Sequence, residues 1–277
     1  ELVVQRSRLY GGAVKPTRAT ARQTAIDVFQ ESFSEEWLMF LDDDFVLSPT
    51  YWAHAQRHTA EAKVGEIWGV NWDAAPDRER FINTLNKLGL SKKTYAQYLL
   101  DAFSRRGGTH DTLYRRAALN GVLIPPELHV YEDAWLHHYV RCGGWESRVV
   151  YDSGRHYSPP KDFSVAEEKR RWLVAVSTAV KYGIVEYEYI ERAIRSGADP
   201  ARWALAWLSL ARPILGFPLQ LAVDLALTKN LIRAIKRATA KQYLKLWNRY
   251  VVLREARRVG GRLPDVCEAV RSHVKKR

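Results

Sequence analysis

Trp37-Leu38-Met39-Phe40-Leu41-Asp42-Asp43-Asp44-Phe45-Val46-Leu47-Ser48-Pro49 decides how the rest of the chain is read. Five apolar residues, Trp37 to Leu41, form a run short enough for a buried strand. Three carboxylates follow where that strand ends. In open α/β sheets, ligands sit just beyond the carboxyl ends of the strands. Packed acids repel one another and hold protons unless a cation joins them. A hard divalent ion with oxygen ligands meets that need, and such ions bridge carboxylates to phosphates. The stretch therefore predicts a metal-diphosphate site at a strand end. The alternative is an acidic turn capping the helix that follows, since Asp is a common turn residue.

The chain has 277 residues, enough for one large domain or a domain with an appendage. Hydrophobic residues make up 47% and charged residues 27%, so a core can form. The net charge is +12 and the pI about 9.7, which implies an anionic partner: nucleic acid, lipid headgroups or a phosphorylated substrate. Cys142 and Cys267 offer neither a disulfide framework nor metal-ligand spacing, which fits a reducing compartment. A charge-rich chain with one Met fits a thermophile. The opening on Glu1, directly into strand-like Glu1-Leu2-Val3-Val4, points to further sequence upstream.

Around the acidic stretch, strands and helices alternate. Residues 17–33 read as a helix, with apolar positions at 21, 25, 28 and 29. Residues 49–63 form another helix, 67–72 a strand, and 78–106 a charged helical region. Gly107-Gly108 breaks the chain before Thr112 to Leu119, read as an Arg-rich helix. A helix follows over Val130 to Val140, starting near Glu132-Asp133, and Val149-Val150-Tyr151 is a last short strand. This alternation indicates an α/β sheet with parallel members. From Ser164 onward only helices are visible, the first capped by Asp162 or Ser164.

Three further constellations could carry chemistry. Glu132-Asp133 opens a helix, where the dipole favours acids; a carboxylate there can also take a proton from an attacking hydroxyl. His156, in Gly154-Arg155-His156-Tyr157, follows the last strand and could complete a metal shell begun by the aspartates, or simply be solvated. Glu168-Lys169-Arg170-Arg171-Trp172 joins cations to an indole, which suits a phosphate beside a sugar ring or apolar surface. The plain alternative is a solvated basic helix face with Trp172 in the core.

The order of these signals resembles the family 2 glycosyltransferases, with their GT-A fold, over roughly residues 15–175. "LMFLDDDFVLSP" resembles the family's strand and DxD motif, "GGTHDTLYRRAAL" its Gly-rich acceptor-side segment, and "VYEDAWL" its Glu-Asp motif. "EKRRW" resembles the QxxRW motif of the cellulose-synthase-like members, with Glu168 in place of Gln. The resemblance implies a Rossmann-like mixed α/β sheet that lacks the family's first strands, followed by an α-helical, membrane-associated tail. Residues 1–160 would be the catalytic domain, 161–200 the acceptor-side helices and 201–277 the tail. Asp42, Asp43 and Asp44 would contact the nucleotide or diphosphate. Asp42, Asp44 and His156 would hold Mn2+ or Mg2+, with Asp44 the direct ligand. Arg18, Arg22 and Arg171 would lie near the nucleotide or diphosphate. Asp133 would be the catalytic base with Glu132 supporting it, and Gly107, Gly108 and Trp172 would serve the acceptor.

The tail bears on partners. Residues 203–223 are the most apolar stretch of the chain and long enough to span a bilayer, but Arg212 sits at the centre. Inserting a central Arg costs roughly 2.5–3.5 kcal/mol, and each Leu returns only about 0.5 kcal/mol. Pro213 and Pro218 would break a straight span. Helices that lie on or dip into the bilayer are therefore expected, followed by a basic segment from Lys229 to Lys245. Trp203, Trp207, Trp247 and Tyr250 suit the interface. The alternative is a buried helical hairpin. Together these readings predict a membrane-associated hexosyltransferase on the cytoplasmic face. Its donor would be a nucleotide sugar, GDP-mannose before a UDP-hexose, and its acceptor lipid-linked. The rivals are a processive polysaccharide synthase and a basic nucleic-acid- or membrane-binding protein without catalysis. Against nucleic acid, the excess charge sits after residue 164, beside apolar runs.

Overall fold

A computed structural model of the chain describes residues 6–10, 15–70, 108, 110–128, 130–151, 153–157, 164–185, 188–195, 199–260 and 263–274. The strand expected at residues 1–5 and the helical region expected at 78–106 lie outside the described residues. The chain divides into two units. One holds the strands of the main sheet, the helices that cover them and the carboxyl-terminal helix; the described elements of the other are helices, apart from the end of the strand Gly154–His156.

The first unit is built on a sheet whose described strands are β1 (Trp37–Leu41), β4 (Asp111–Arg115), β3 (Val64–Val70) and β5 (Glu146–Tyr151), in that spatial order. β4 runs antiparallel to β1 and β3, and β3 runs parallel to β5. So β1, β3 and β5 share one direction, and their carboxyl ends lie at the edge of the sheet where β4 begins. The register Leu41↔Asp111 puts the acidic turn after β1 directly beside the start of β4. β2 (Phe45–Leu47) follows the turn, and β6 (Gly154–His156) follows β5.

The segment 111–119 corrects the helical reading. Asp111–Arg115 is a wholly buried strand, and only Arg116–Leu119 turns as a short 3-10 helix. Placed between two strands, 111–115 must satisfy its backbone through the ladder. The two arginines that made it look like a solvated helix act as carbonyl clamps. Arg115 donates to the carbonyls of Val64 (2.7 Å), Thr59 (2.9 Å) and Glu61 (2.8 Å), and its guanidinium lies 4.6 Å from the Trp37 ring centre. Arg116 donates to the carbonyls of Phe33 (2.6 Å) and Glu35 (2.8 Å).

The helices bury predictable faces. α1 (Arg18–Ser32) starts with a reciprocal cap between Thr17 and Thr20 and buries Ala19, Gln23, Ile26 and Phe29. Buried Gln23 donates to Val122 O (3.2 Å) and accepts from Ile124 N (2.8 Å), fixing that loop to the helix. α2 (Tyr51–Thr59) sets Tyr51 and Ala55 in a core with Val64, Ile67, Leu113 and Val150. α3 (Glu132–Cys142) buries Trp135, Leu136 and Val140, and the Trp135 indole donates to Leu123 O (3.1 Å). The chain returns to this unit at α10 (Val266–Ser272). There Cys267 is disulfide-bonded to Cys142 at the end of α3, with Cα atoms 5.3 Å apart. This bond departs from the reading of two unpaired thiols: 125 residues separate the cysteines, and no sequence spacing advertises the pair.

In the second unit, Ser164 caps α4 (Val165–Lys181), as expected, by accepting from Glu167 N (3.3 Å). α5 (Glu188–Arg195) and α6 (Pro200–Leu208) follow, the latter capped by Asp199. A short turn leads to α7 (Arg212–Leu215), α8 (Phe217–Thr228) and α9 (Leu231–Arg258). Pro213 and Pro218 fall in the first turns of α7 and α8, where a missing N–H costs nothing, so the apolar run is divided into separate helices that restart at them, as expected. The run Pro200–Leu225 is long and apolar enough to cross a membrane by length and composition, and most of it is exposed. α8 and α9 form a hairpin turned at Lys229 (φ 51°), and α9 also packs on α4. The expected interfacial aromatics are partly internal: Trp207 and Trp247 both lie against Tyr250, with ring centres 6.3 and 5.7 Å away.

Candidate active site

The turn after β1 is built on backbone hydrogen bonds. Asp42 N donates to His110 O (3.1 Å), and Phe45 N donates to Asp42 O (3.1 Å). Asp43 is exposed, while Asp42 and Asp44 are partly buried. Arg22 of α1 reaches this turn, with one guanidinium nitrogen 3.7 Å from Asp42 Oδ1 and the other paired with Glu132 Oε1. One arginine thus joins the aspartate turn to the Glu-Asp start of α3. Arg18, one turn earlier on α1, is exposed and its charge acts on Glu132 as well.

Glu132 is 2% exposed, and its carboxyl is pushed up to about 7. Burial raises it most and the neighbouring Asp133 raises it further; Arg22 opposes both without prevailing. Asp133 is half-buried, and its Oδ1 accepts from Ala134 N (2.8 Å). Beneath it, one turn along α3, His137 Nδ1 lies 2.7 Å from buried Glu66 on β3, which also accepts from Ser147 Oγ (2.6 Å).

His110 and Asp111 enter the site without having been singled out in the sequence. His110 Nε2 lies 2.9 Å from Asp111 Oδ1. Burial alone would lower the imidazole, but the hydrogen bond to Asp111 and the charges of Asp111, Asp42 and Asp133 raise it overall. Asp111 is fully buried and accepts from Ser153 Oγ, just past β5. Gly69 on β3 is what lets them meet: a Cβ there would overlap both Asp111 Oδ2 and Ser153 Oγ. The signal available in the sequence was a His-Asp pair opening the strand opposite the acidic turn, hidden because that strand was read as a helix.

The structure therefore brings together Arg18, Arg22, Asp42, Glu132 and Asp133, with Asp43 and Asp44 on the same turn, at the carboxyl ends of parallel strands. Gly108 is buried, its carbonyl accepting from Thr112 Oγ1; Gly107 lies outside the described residues. His156 is on β6, and its side chain is outside the described set. Arg171 and half-buried Trp172 are on α4 of the helical unit, where Arg171 pairs with Glu168 at 3.4 Å. Among the described residues, no three His, Cys, Asp or Glu side chains converge as a metal shell. The carboxylates of Asp42 and Asp44 are the right donor type for a hard divalent ion. A separate hollow of about 640 Å³ between α1 and β1 is lined by Ala25, Val28, Phe29, Trp37 and Leu38. It includes none of the site acids.

No protein-family model matches the chain, and no curated protein matches it. Among solved structures, it is similar to a mannosyltransferase from Pyrobaculum calidifontis in complex with GDP-Man and Mn2+. The TM-score is 0.43 at 16% identity, and the match covers 87% of this chain and 66% of that one. A likeness at this level assigns no function.

Proposed function

We propose that the chain is a metal-dependent inverting glycosyltransferase. It would move a hexose from a nucleotide sugar, GDP-mannose before a UDP-hexose, to a lipid-linked acceptor at a membrane surface. The observation that supports this reading best is Arg22 bridging Asp42 to Glu132 at a strand-end site that also holds Asp133 and His110. Cations and carboxylates that restrain one another at such a place suit a diphosphate and a sugar hydroxyl better than a structural turn does.

In this reading Asp42 and Asp44 would hold the divalent ion together with His156. When bound, the ion supplies charge neutralisation for the departing nucleoside diphosphate. Arg18 and Arg22 bind the anionic donor. Asp133 takes the proton of the acceptor hydroxyl as that oxygen attacks the anomeric carbon from the face opposite the leaving group, so the configuration inverts. Glu132, its carboxyl pushed up to about 7, is only partly ionised near pH 7, which weakens its hold on Arg22 and lets that guanidinium turn to the donor's charge. Arg171 and Trp172 would meet the diphosphate and the acceptor sugar. An acceptor that is itself a phosphate is already ionised and needs the base less. The choice of mannose rests on the family resemblance.

The test is transfer by Asp133→Asn. To a sugar hydroxyl, kcat is expected to fall roughly 10²- to 10⁴-fold with KM for the donor little changed. Retention of most of the transfer would remove Asp133 from the role of base.

A further inference from the structure

β3 lies between β4 and β5, and one acid on it meets three other elements. Register sets Glu66 opposite Tyr114 of β4 on one side and Ser147 of β5 on the other. Cross-strand partners share a face of the sheet. Glu66 Oε2 accepts from Ser147 Oγ (2.6 Å) and lies 2.7 Å from His137 Nδ1 of α3. Glu66, Tyr114 and His137 are all buried. Burial would raise the Glu66 carboxyl, but the charge of His137 and the polar groups of His137, Ser147 and Tyr114 hold it below the usual carboxylate range. Even so, Glu66 Oε1 and the Tyr114 hydroxyl close no well-formed hydrogen bond. That hydroxyl also stands in the field of the site: burial raises the phenol, Glu66 and Asp133 raise it further, and Arg22 opposes them. As a source of stability the cluster is poor, because a buried ion pair gains little over apolar side chains of similar size and an unpaired buried oxygen is a cost. As a fixer of geometry it is well placed. The N-cap residue of α3, Tyr131, makes no side-chain capping hydrogen bond, so the first turn, which holds Glu132 and Asp133, depends on its neighbours for its position. His137 follows Asp133 by four residues, on the same face of the helix.

We propose that Glu66, His137 and Tyr114 are positioning residues for Asp133. Glu66 anchors α3 through His137, Tyr114 backs the carboxylate from β4, and together they fix where Asp133 stands relative to the strand-end acids. A reacting group displaced by about 1 Å can lose roughly 10²-fold in rate, so a rigid support of this kind acts on turnover. The three residues touch neither donor nor acceptor; they act through Asp133. Because Asp133 takes the acceptor proton only in the transferase reading, the proposal rests on that reading.

The test compares kcat, donor KM and Tm among variants of the full chain in transfer to a sugar hydroxyl. Glu66→Leu with His137→Leu removes the pair without leaving a lone buried charge. Its Tm is expected to stay near the parent's, while kcat falls roughly 30-fold and donor KM stays within about two-fold. His137→Asn, whose amide can donate to Glu66 from nearly the same place, is expected to keep kcat within about three-fold of the parent. Tyr114→Phe deletes a hydroxyl that closes no hydrogen bond, so it keeps the fold, and kcat is expected to fall roughly five-fold. Parent kcat in the double variant would overturn the proposal, and so would a loss in His137→Asn equal to that in the double. Should the double variant melt early, Tyr114→Phe decides, and parent kcat there overturns the proposal. Asp133→Asn, measured alongside, separates the two claims. If it transfers at the parent rate, or the parent transfers nothing, the transferase reading fails and the positioning role fails with it. If it is slow while the double variant and Tyr114→Phe keep the parent rate, the positioning role alone fails.

Discussion

Arg22 spends its two guanidinium nitrogens on Asp42 and Glu132, and this sets the chemistry of the acid beside it. A paired carboxylate is usually held low, yet Glu132 is raised because burial and Asp133 outweigh Arg22. An acid whose folded value exceeds its ordinary 4.5 favours folding when neutral. That contribution is complete below 4.5 and is lost as pH rises through about 7. Glu132→Gln removes the loss. The variant's Tm is expected to gain on the parent between about pH 5 and 8, corresponding to on the order of 2–3 kcal/mol. Parallel Tm curves for the two proteins would contradict the raised carboxyl. At this scale the sequence was partly legible. Asp42, Glu132 and Asp133 could be found from their places at a strand end and at a helix start; Arg18 and Arg22 came only with the family resemblance. His110, Asp111 and Ser153 could not, because their meeting depends on the missing Cβ of Gly69 on a third strand.

At the scale of elements, α1 was legible from its apolar positions, and α3 from the acidic pair that opens it. β4 was not. Arg115 and Arg116 are local signs of a solvated helix, and their clamping of the carbonyls of Val64, Phe33 and Glu35 is a tertiary event. The same is true of the disulfide, whose halves are 125 residues apart. It anchors α10 to the end of α3, the helix that starts with Glu132 and Asp133, and so ties the far end of the chain to the site's own support. His273 adds an edge contact to Trp135, at 5.6 Å between ring centres. Reduction is expected to lower stability by about 2–5 kcal/mol, since the bond closes a long loop. Thermal melting with and without reductant checks this, and an unchanged Tm would show the bond to be dispensable. Disulfides persist in oxidising compartments and inside hyperthermophiles, so the bond argues against a simple reducing compartment.

For the whole molecule, composition points to an anionic partner without naming it. The +12 charge is divided between two jobs. Some cations bind carbonyls or carboxylates within the first unit, as Arg22, Arg115 and Arg116 do. Others, such as Lys229, Arg233 and Lys236, are exposed on the helical unit. The apolar run 203–223 was visible in the sequence; that its prolines begin helices, and that Trp207, Trp247 and Tyr250 pack together, required the fold. The central claim is that the strand-end acids form a donor site. Calorimetric titration of the full chain with GDP-mannose and with UDP-glucose, in Mn2+ and then in chelator, tests it most directly. One donor is expected to bind only with metal, and Asp44→Asn is expected to weaken that binding at least ten-fold. Failure of both donors to bind, or binding that neither chelator nor Asp44→Asn affects, would contradict the account.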